Sequence, residues 1–299
     1  MSDSTASEQH LWRLGSKLLD CSRPCVMAIV NATPDSFYAG SRLGGDFRTL
    51  SPLLDALLAD PPDIVDVGGQ SSRPGSLRVD SAEELRRVLP VIQRLRKHDA
   101  AQLITVDTYS AEVAREALAA GADGVNDISA CRFDPALFDV VAGSGCGYVL
   151  MHMQGTPETM QQAPHYDDCA AEVAAFLASN LVKFAERGIA RERIVLDPGV
   201  GFGKRVEDNL VLIQGAARFS SLGRPLLYGI SRKAFIGRLA YPADADGHAD
   251  ERSADPALRL PGTLGLTWEL LGSGVMLHRV HDAAEARQVA RLWQALRGS

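Results

Sequence analysis

Apolar residues in this chain fall in short, often β-branched runs that alternate with stretches of helical spacing. Val26 to Val30, Ile64 to Val67, Leu103 to Val106, Gly124-Val125, Tyr148 to Met151, Ile194 to Leu196, Pro225 to Tyr228 and Val275 to Leu277 read as strands. Helices are predicted around Leu50 to Leu58, Leu85 to Leu95, an alanine-rich stretch from Ser110 to Gly121, Ala136 to Ala142, Val173 to Phe184, Val206 to Arg218, Leu264 to Leu271 and Val289 to Leu296. Ser81 with Glu84 reads as a capping box, and Asp282 with Glu285 as the start of the last helix. Such alternation implies a parallel sheet with helical crossovers, and eight repeats of it predict a single-domain (β/α)8 TIM barrel over residues 21–299. A doubly wound open sheet is the competing arrangement. Residues 1–20 read as an N-terminal tail, and the acidic, alanine- and proline-rich stretch at 241–256 as a surface insertion.

Composition narrows the class. The 299 residues are 46% hydrophobic, which suits a soluble enzyme-sized core. A net charge of −6 with interspersed signs argues against a nucleic-acid partner. No apolar run reaches the ~18 residues a membrane span needs, and the polar start lacks the pattern of a secretion signal. Of the five cysteines only Cys21 and Cys25 lie close together, with no second pair for zinc; incidental thiols in a reducing cytoplasm are the expectation.

The chemistry gathers at the strand ends. Asn31, Ser72, Arg73, Asp107, Asn126, His152, Asp197, Lys233, Arg279 and His281 all lie at or just beyond them, and in a barrel those ends share one face. The sharpest stretch runs from Ile194 to Lys204: Asp197 ends a strand, Pro198 stops the ladder, and glycines 199, 201 and 203 allow close backbone approach. Asp107, Asn126 and Asp197 offer acceptors, with an amide donor among them, to a flat heterocycle whose edge carries N–H donors, such as a 2-amino-4-oxo pyrimidine ring. Lys233 would meet its carbonyl oxygen or a ring nitrogen. Arg73, Arg279 and His281, with Asn31, suit phosphate oxygens, and Asn31 is a candidate Mg²⁺ ligand. The glycine loop has neither the spacing nor the hydroxyl of a Walker loop.

These motifs together, from Asn31–Phe37 through Gly68–Gly75, Val106–Thr108, Asn126-Asp127, Met151–Gly155, Asp197–Lys204 and Ser231–Lys233 to Arg279–Asp282, resemble the dihydropteroate synthases, pterin-binding (β/α)8 enzymes of folate biosynthesis. The resemblance implies condensation of (7,8-dihydropterin-6-yl)methyl diphosphate with 4-aminobenzoate to 7,8-dihydropteroate and diphosphate. It implies a pterin site of Asp107, Asn126, Asp197 and Lys233, with Met151 and Lys204 also contacting substrate. Asn31, Arg73, Arg279 and His281 would hold the diphosphate with Mg²⁺; Phe37, Ser72, Pro74, Phe202 and Ser231 would line the aminobenzoate pocket. Asp35, Arg73, Lys233 and Arg279 would be catalytic. A cytoplasmic homodimer of a sulfonamide-target family is implied as well. Gln70 and Ser72 stand where the family usually has glutamate and threonine, which bears on loop closure. The rival readings are a methyltetrahydrofolate corrinoid methyltransferase, which would not need the cations, and a non-catalytic pterin-binding paralogue.

Overall fold

Strands that are apolar on both sides need cover on both faces and no free edge, and this chain meets both needs by closing its sheet on itself. The structure is a computed structural model describing residues 8–33, 47–72, 75–76, 78–244 and 246–297. A hairpin of β1 (Leu11–Leu14) and β2 (Lys17–Asp20) comes first. It leads into β3 (Cys25–Asn31), α1 (Phe47–Ala59), β4 (Ile64–Gly68), α2 (Ser81–His98), β5 (Leu103–Asp107), α3 (Ala111–Ala119), β6 (Gly124–Asp127), α4 (Leu137–Ser144) and β7 (Gly147–Met151). The second half continues with α5 (Cys169–Glu186), β8 (Ile194–Asp197), α6 (Val206–Gln214), α7 (Ala216–Ser220), β9 (Leu227–Tyr228), α8 (Ala234–Ala240), α9 (Leu260–Gly272), β10 (Leu277–Val280) and α10 (Ala283–Arg297).

The eight strands β3 to β10 are parallel. β10 pairs with both β3 and β9, and β9 meets β8 through a Leu196–Leu226 bridge and a Leu196 amide donating to the Pro225 carbonyl (3.0 Å). The sheet therefore closes as the expected (β/α)8 barrel, with no open edge of the doubly wound kind.

Side chains alternate between two cores. Val26, Ala28, Val30, Val65 and Val67 face out toward the helices, where Leu54, Val88, Ile92 and Leu95 cover them. Met27, Ile64, Leu103, Val149, Val195, Leu227 and Leu277 fill the lower barrel interior together with Trp12 and Leu14 of the hairpin. The bottom of the barrel is thus plugged rather than preceded by a tail, which corrects the reading of 1–20 from Leu11 onward. Trp12 is fully buried and donates through its indole nitrogen to the Arg193 carbonyl (2.9 Å). Gly147 makes room for it: a Cβ there would stand 2.7 Å from Leu14 Cγ and 3.0 Å from the indole nitrogen.

Three local features differ from expectation. Asp80, not Ser81, caps α2 by accepting from the Glu83 amide (2.8 Å), and Glu84 turns inward and is buried. The last strand starts at Leu277, because the Val275 amide still bonds the Leu270 carbonyl of α9; Arg279 is therefore on the strand rather than beyond it. Gly215 divides the helix expected at 206–218 into α6 and α7.

Candidate active site

Strand register brings Asn31, Gly68, Asp107 and Asn126 into one row across β3, β4, β5 and β6 at the C-terminal mouth. Gly68 leaves a gap in that row: a Cβ there would lie 3.6 Å from Asp107 Oδ2 and 3.7 Å from Asn31 Oδ1. One layer below, Asp66 of β4 faces Thr105 and is fully buried. Its carboxylate accepts from Thr105 Oγ1 (2.5 Å), Asn126 Nδ2 (3.0 Å) and Arg279 Nε (2.6 Å), and Arg279 Nη2 bonds Asp107 Oδ2 (2.6 Å). Sequence reasoning passed over Asp66. Its signal was an acid in the middle of an apolar strand two residues before the end, where a charge survives burial only if paired.

The arrangement settles what Asn126 offers. A carboxylate accepts only, so the amide nitrogen must face Asp66, and the carbonyl oxygen is what remains. One hydrogen of the amide donor expected toward a ligand is held inside the barrel by Asp66. Burial lifts Asp107 to about 7; Arg279 opposes the rise, while Asp66, Glu84 and Asp127 add to it.

Asp197 ends β8 and accepts from the Gly199 amide (2.7 Å). Burial raises its pKa against that bond and against Lys233, Lys204 and Arg279. Gly199 has φ of 70°, and a Cβ on it would stand 1.8 Å from the His152 carbonyl oxygen, so only glycine turns the chain here. At Gly201 (φ 83°) a Cβ would meet Lys233 Cδ at 2.8 Å. Lys233 Nζ lies 3.9 Å from the Phe202 ring centroid; burial lowers its pKa to about 7, with Asp197 and Asp107 pulling it back up. The residue before it, Arg232, sits in the left-handed region (φ 55°) and grips Asp282 with Nε and Nη2 (2.8 and 2.7 Å). That grip ties the Ser231–Lys233 turn to the end of β10, and it replaces the helix-capping role expected of Asp282. Ser231 Oγ accepts from the His281 amide (3.2 Å) and lies 3.0 Å from His281 Nδ1, so these two expected site residues are coupled.

Acids and bases meet at one rim. A Cβ on Gly229, which follows β9, would stand 3.9 Å from Arg279 Cβ and 4.0 Å from Asp197 Oδ2. Met151 packs with Tyr109, Ile128, Met153 and Met160, against Phe133 and Phe202, as an apolar wall beside them. Ser72 is half-buried. Asp35, Phe37, Arg73 and Pro74 lie outside the described residues.

Lys204 departs from the substrate contact expected of it. It is 2% exposed, and its Nζ bonds the Phe202 carbonyl (3.0 Å), the His152 carbonyl (3.4 Å) and His152 Nδ1 (3.0 Å). It pins the β8 loop to the β7 loop from inside and has no hydrogen left for a substrate. Burial lowers Lys204 to about 7, and burial with the Lys204 charge lowers His152 to about 2. For Mg²⁺, the Asn31 side-chain oxygen beside the Gly68 gap is a hard donor of the right kind, and this ion needs few protein ligands because phosphate oxygens and water supply the rest.

Comparison with known proteins agrees with this chemistry. The profile of the family described as pterin binding enzyme matches residues 27–281. The dihydropteroate synthase of Synechocystis sp. is 38% identical over 287 residues, 95% of this chain and 94% of that protein. The crystal structure of the Yersinia pestis dihydropteroate synthase with a sulfonamide drug superposes with a TM-score of 0.87 at 32% identity, covering 97% of this chain and 100% of that one. The Xanthomonas albilineans dihydropteroate synthase in complex with 7,8-dihydropteroate gives 0.81 at 36% identity, over 97% and 99%.

Proposed function

The chain belongs to the pterin-binding enzyme family, and within it we propose that it is a dihydropteroate synthase, a transferase that condenses (7,8-dihydropterin-6-yl)methyl diphosphate with 4-aminobenzoate. The observation that carries this reading is the shared rim of Asp197 and Arg279: ring-recognising acids and an anion-recognising cation stand side by side. Asp107, the Asn126 carbonyl and Asp197 accept from the N–H edge of the pterin, and Lys233 donates to its carbonyl oxygen or ring nitrogen. Asn31, Arg73, Arg279 and His281 receive the diphosphate. Mg²⁺, held through Asn31, would neutralise leaving-group charge. Phe37, Ser72, Pro74, Phe202 and Ser231 form the aminobenzoate pocket, with Met151 walling the ring.

The chemistry asks little of a base. The bond from the methylene carbon to the diphosphate oxygen breaks, cations take up the departing charge, and the electron-rich pterin stabilises the carbon left behind, aided by Asp35. The arylamine nitrogen then attacks that carbon, and the proton it sheds passes to the departed diphosphate or to water. Diphosphate release with both substrates tests the reading: this enzyme releases it, whereas the methyltransferase and the non-catalytic paralogue release none. The cations at the rim favour diphosphate chemistry over methyl transfer. α9 and α10 pack together and leave Trp268 (38%), Leu292 (61%) and Leu296 (74%) exposed, which supports a homodimer. All five cysteines are buried and unpaired, which supports a cytoplasmic setting.

A further inference from the structure

We infer that Asp66 is a positioning residue that determines specificity: by accepting from the Asn126 amide nitrogen and from Arg279 Nε, it turns that nitrogen inward, fixes the Asn126 carbonyl as an acceptor and so selects ring edges that carry N–H donors. The inference rests on the pterin reading above. Asp66 touches no ligand position itself, since it is fully buried one layer beneath the row of Asn31, Asp107 and Asn126. Thr105 Oγ1 holds it from the side (2.5 Å), so its two oxygens are committed before any ligand arrives. A free asparagine at the mouth turns its amide at small cost and accepts or donates as the ligand requires. Asn126 lacks that freedom, because turning would set its carbonyl against a buried carboxylate. Among the described residues no donor reaches Asn126 Oδ1, which leaves that acceptor for the ring.

The test compares pterin with its 2-oxo counterpart by calorimetry, with thermal unfolding as the check on folding. The wild type binds the 2-amino ring better. Asp66→Asn releases the amide and cuts the preference by about tenfold, the scale of one mismatched buried hydrogen bond. The exchanged pair Asp66→Asn with Asn126→Asp restores the preference, because the amide introduced on β4 then donates to the carboxylate introduced on β6, whose other oxygen accepts from the ring. A merely structural role lowers stability and affinity without moving the preference. An unchanged ratio in Asp66→Asn, or an exchanged pair that folds but does not recover it, overturns the inference. Should Asp66→Asn not fold, nitrogen-15 NMR of the wild type decides: the Asn126 amide hydrogen bonded to Asp66 stays protected from solvent exchange with and without pterin, and loss of its protection on binding overturns the proposal. A wild type that binds neither pteridine refutes the pterin reading and this inference with it; a bound pterin with an unmoved ratio refutes the inference alone.

Discussion

Replacing Lys204 by methionine separates the cost of a buried charge from the value of its hydrogen bonds. A lysine in the unfolded chain holds its proton up to 10.5, whereas Lys204 in the fold holds it only up to about 7. Between those values the unfolded chain binds the extra proton, so this group makes stability rise with pH across the window and contributes nothing further above it. The displacement opposes folding by about 4 kcal/mol at pH 7 and by about 1.5 kcal/mol at about pH 9.5. Its bonds to the two carbonyls and to His152 contribute about 1 kcal/mol each when it is protonated, and His152, which gives up its proton near 2, does not titrate in this window. Lys204→Met is therefore close to neutral at pH 7 and destabilising at high pH, the wild type gaining on it by about 3 kcal/mol between the two conditions. Urea unfolding of both proteins at each pH measures this, and titrating groups remote from Lys204 cancel in the difference. Parallel stability profiles would show that Lys204 keeps its proton in the fold and that the burial argument is wrong.

Trp12→Ala removes the plug of the barrel and should cost about 3–5 kcal/mol in chemical unfolding; a loss below about 1 kcal/mol would make the hairpin an appendage. The pH profile of kcat/KM should be a bell centred near 7, falling on the acid side as Asp107 takes up its proton and on the alkaline side as Lys233 loses its own; a flat profile from about pH 5.5 to 9 contradicts both shifts. Arg279→Ala should weaken diphosphate binding at every pH and, relative to the wild type, ring binding chiefly at pH 7, since Asp107 without its guanidinium holds a proton longer; calorimetry that finds the loss in ring binding against the wild type equally large at about pH 9 excludes this account. Chelating Mg²⁺ should weaken binding of the diphosphate substrate while leaving plain pterin affinity within about twofold, and an equal loss for both argues against the ion at Asn31.

The barrel was legible because eight apolar runs alternate with helical stretches, and its face was legible because polar residues end the runs. What escaped depends on contacts that no local pattern encodes. Leu11 to Leu14 and Lys17 to Asp20 flank a tight turn at Gly15-Ser16, a hairpin signal in its own right, but its burial is decided by glycine at position 147 far along the chain. Glu84 fits a capping box as well as a buried acid, and the choice falls to Asp80, which reaches the Glu83 amide first. Lys204 follows a glycine loop as a phosphate-binding lysine would. Only the left-handed turn at Gly199, pressed against the His152 carbonyl, sends it inward. The role of Asp66 was hidden for the same reason, because its three partners come from β5, β6 and β10.

Arg279 explains why recognition of the ring and recognition of the anion cannot be assigned to separate residue sets. Its Nε and Nη2 already pair with Asp66 and Asp107, so the cation expected to serve the diphosphate is also the group that opposes the rise in the Asp107 pKa. Removing one member of a buried pair leaves the other uncompensated, which costs more than the pair contributes when intact. A substitution at the anion side therefore reaches the pterin side through Asp107, and one at Asp66 reaches both through Arg279 and Asn126. Deeper in the barrel the apolar layer of Met27, Ile64, Leu103, Val149 and Val195 gives mechanical support, and changes in that layer act through packing. The upper layers can hold Asp66 and Asp107 side by side because Arg279, reaching in from β10, balances the charge of both.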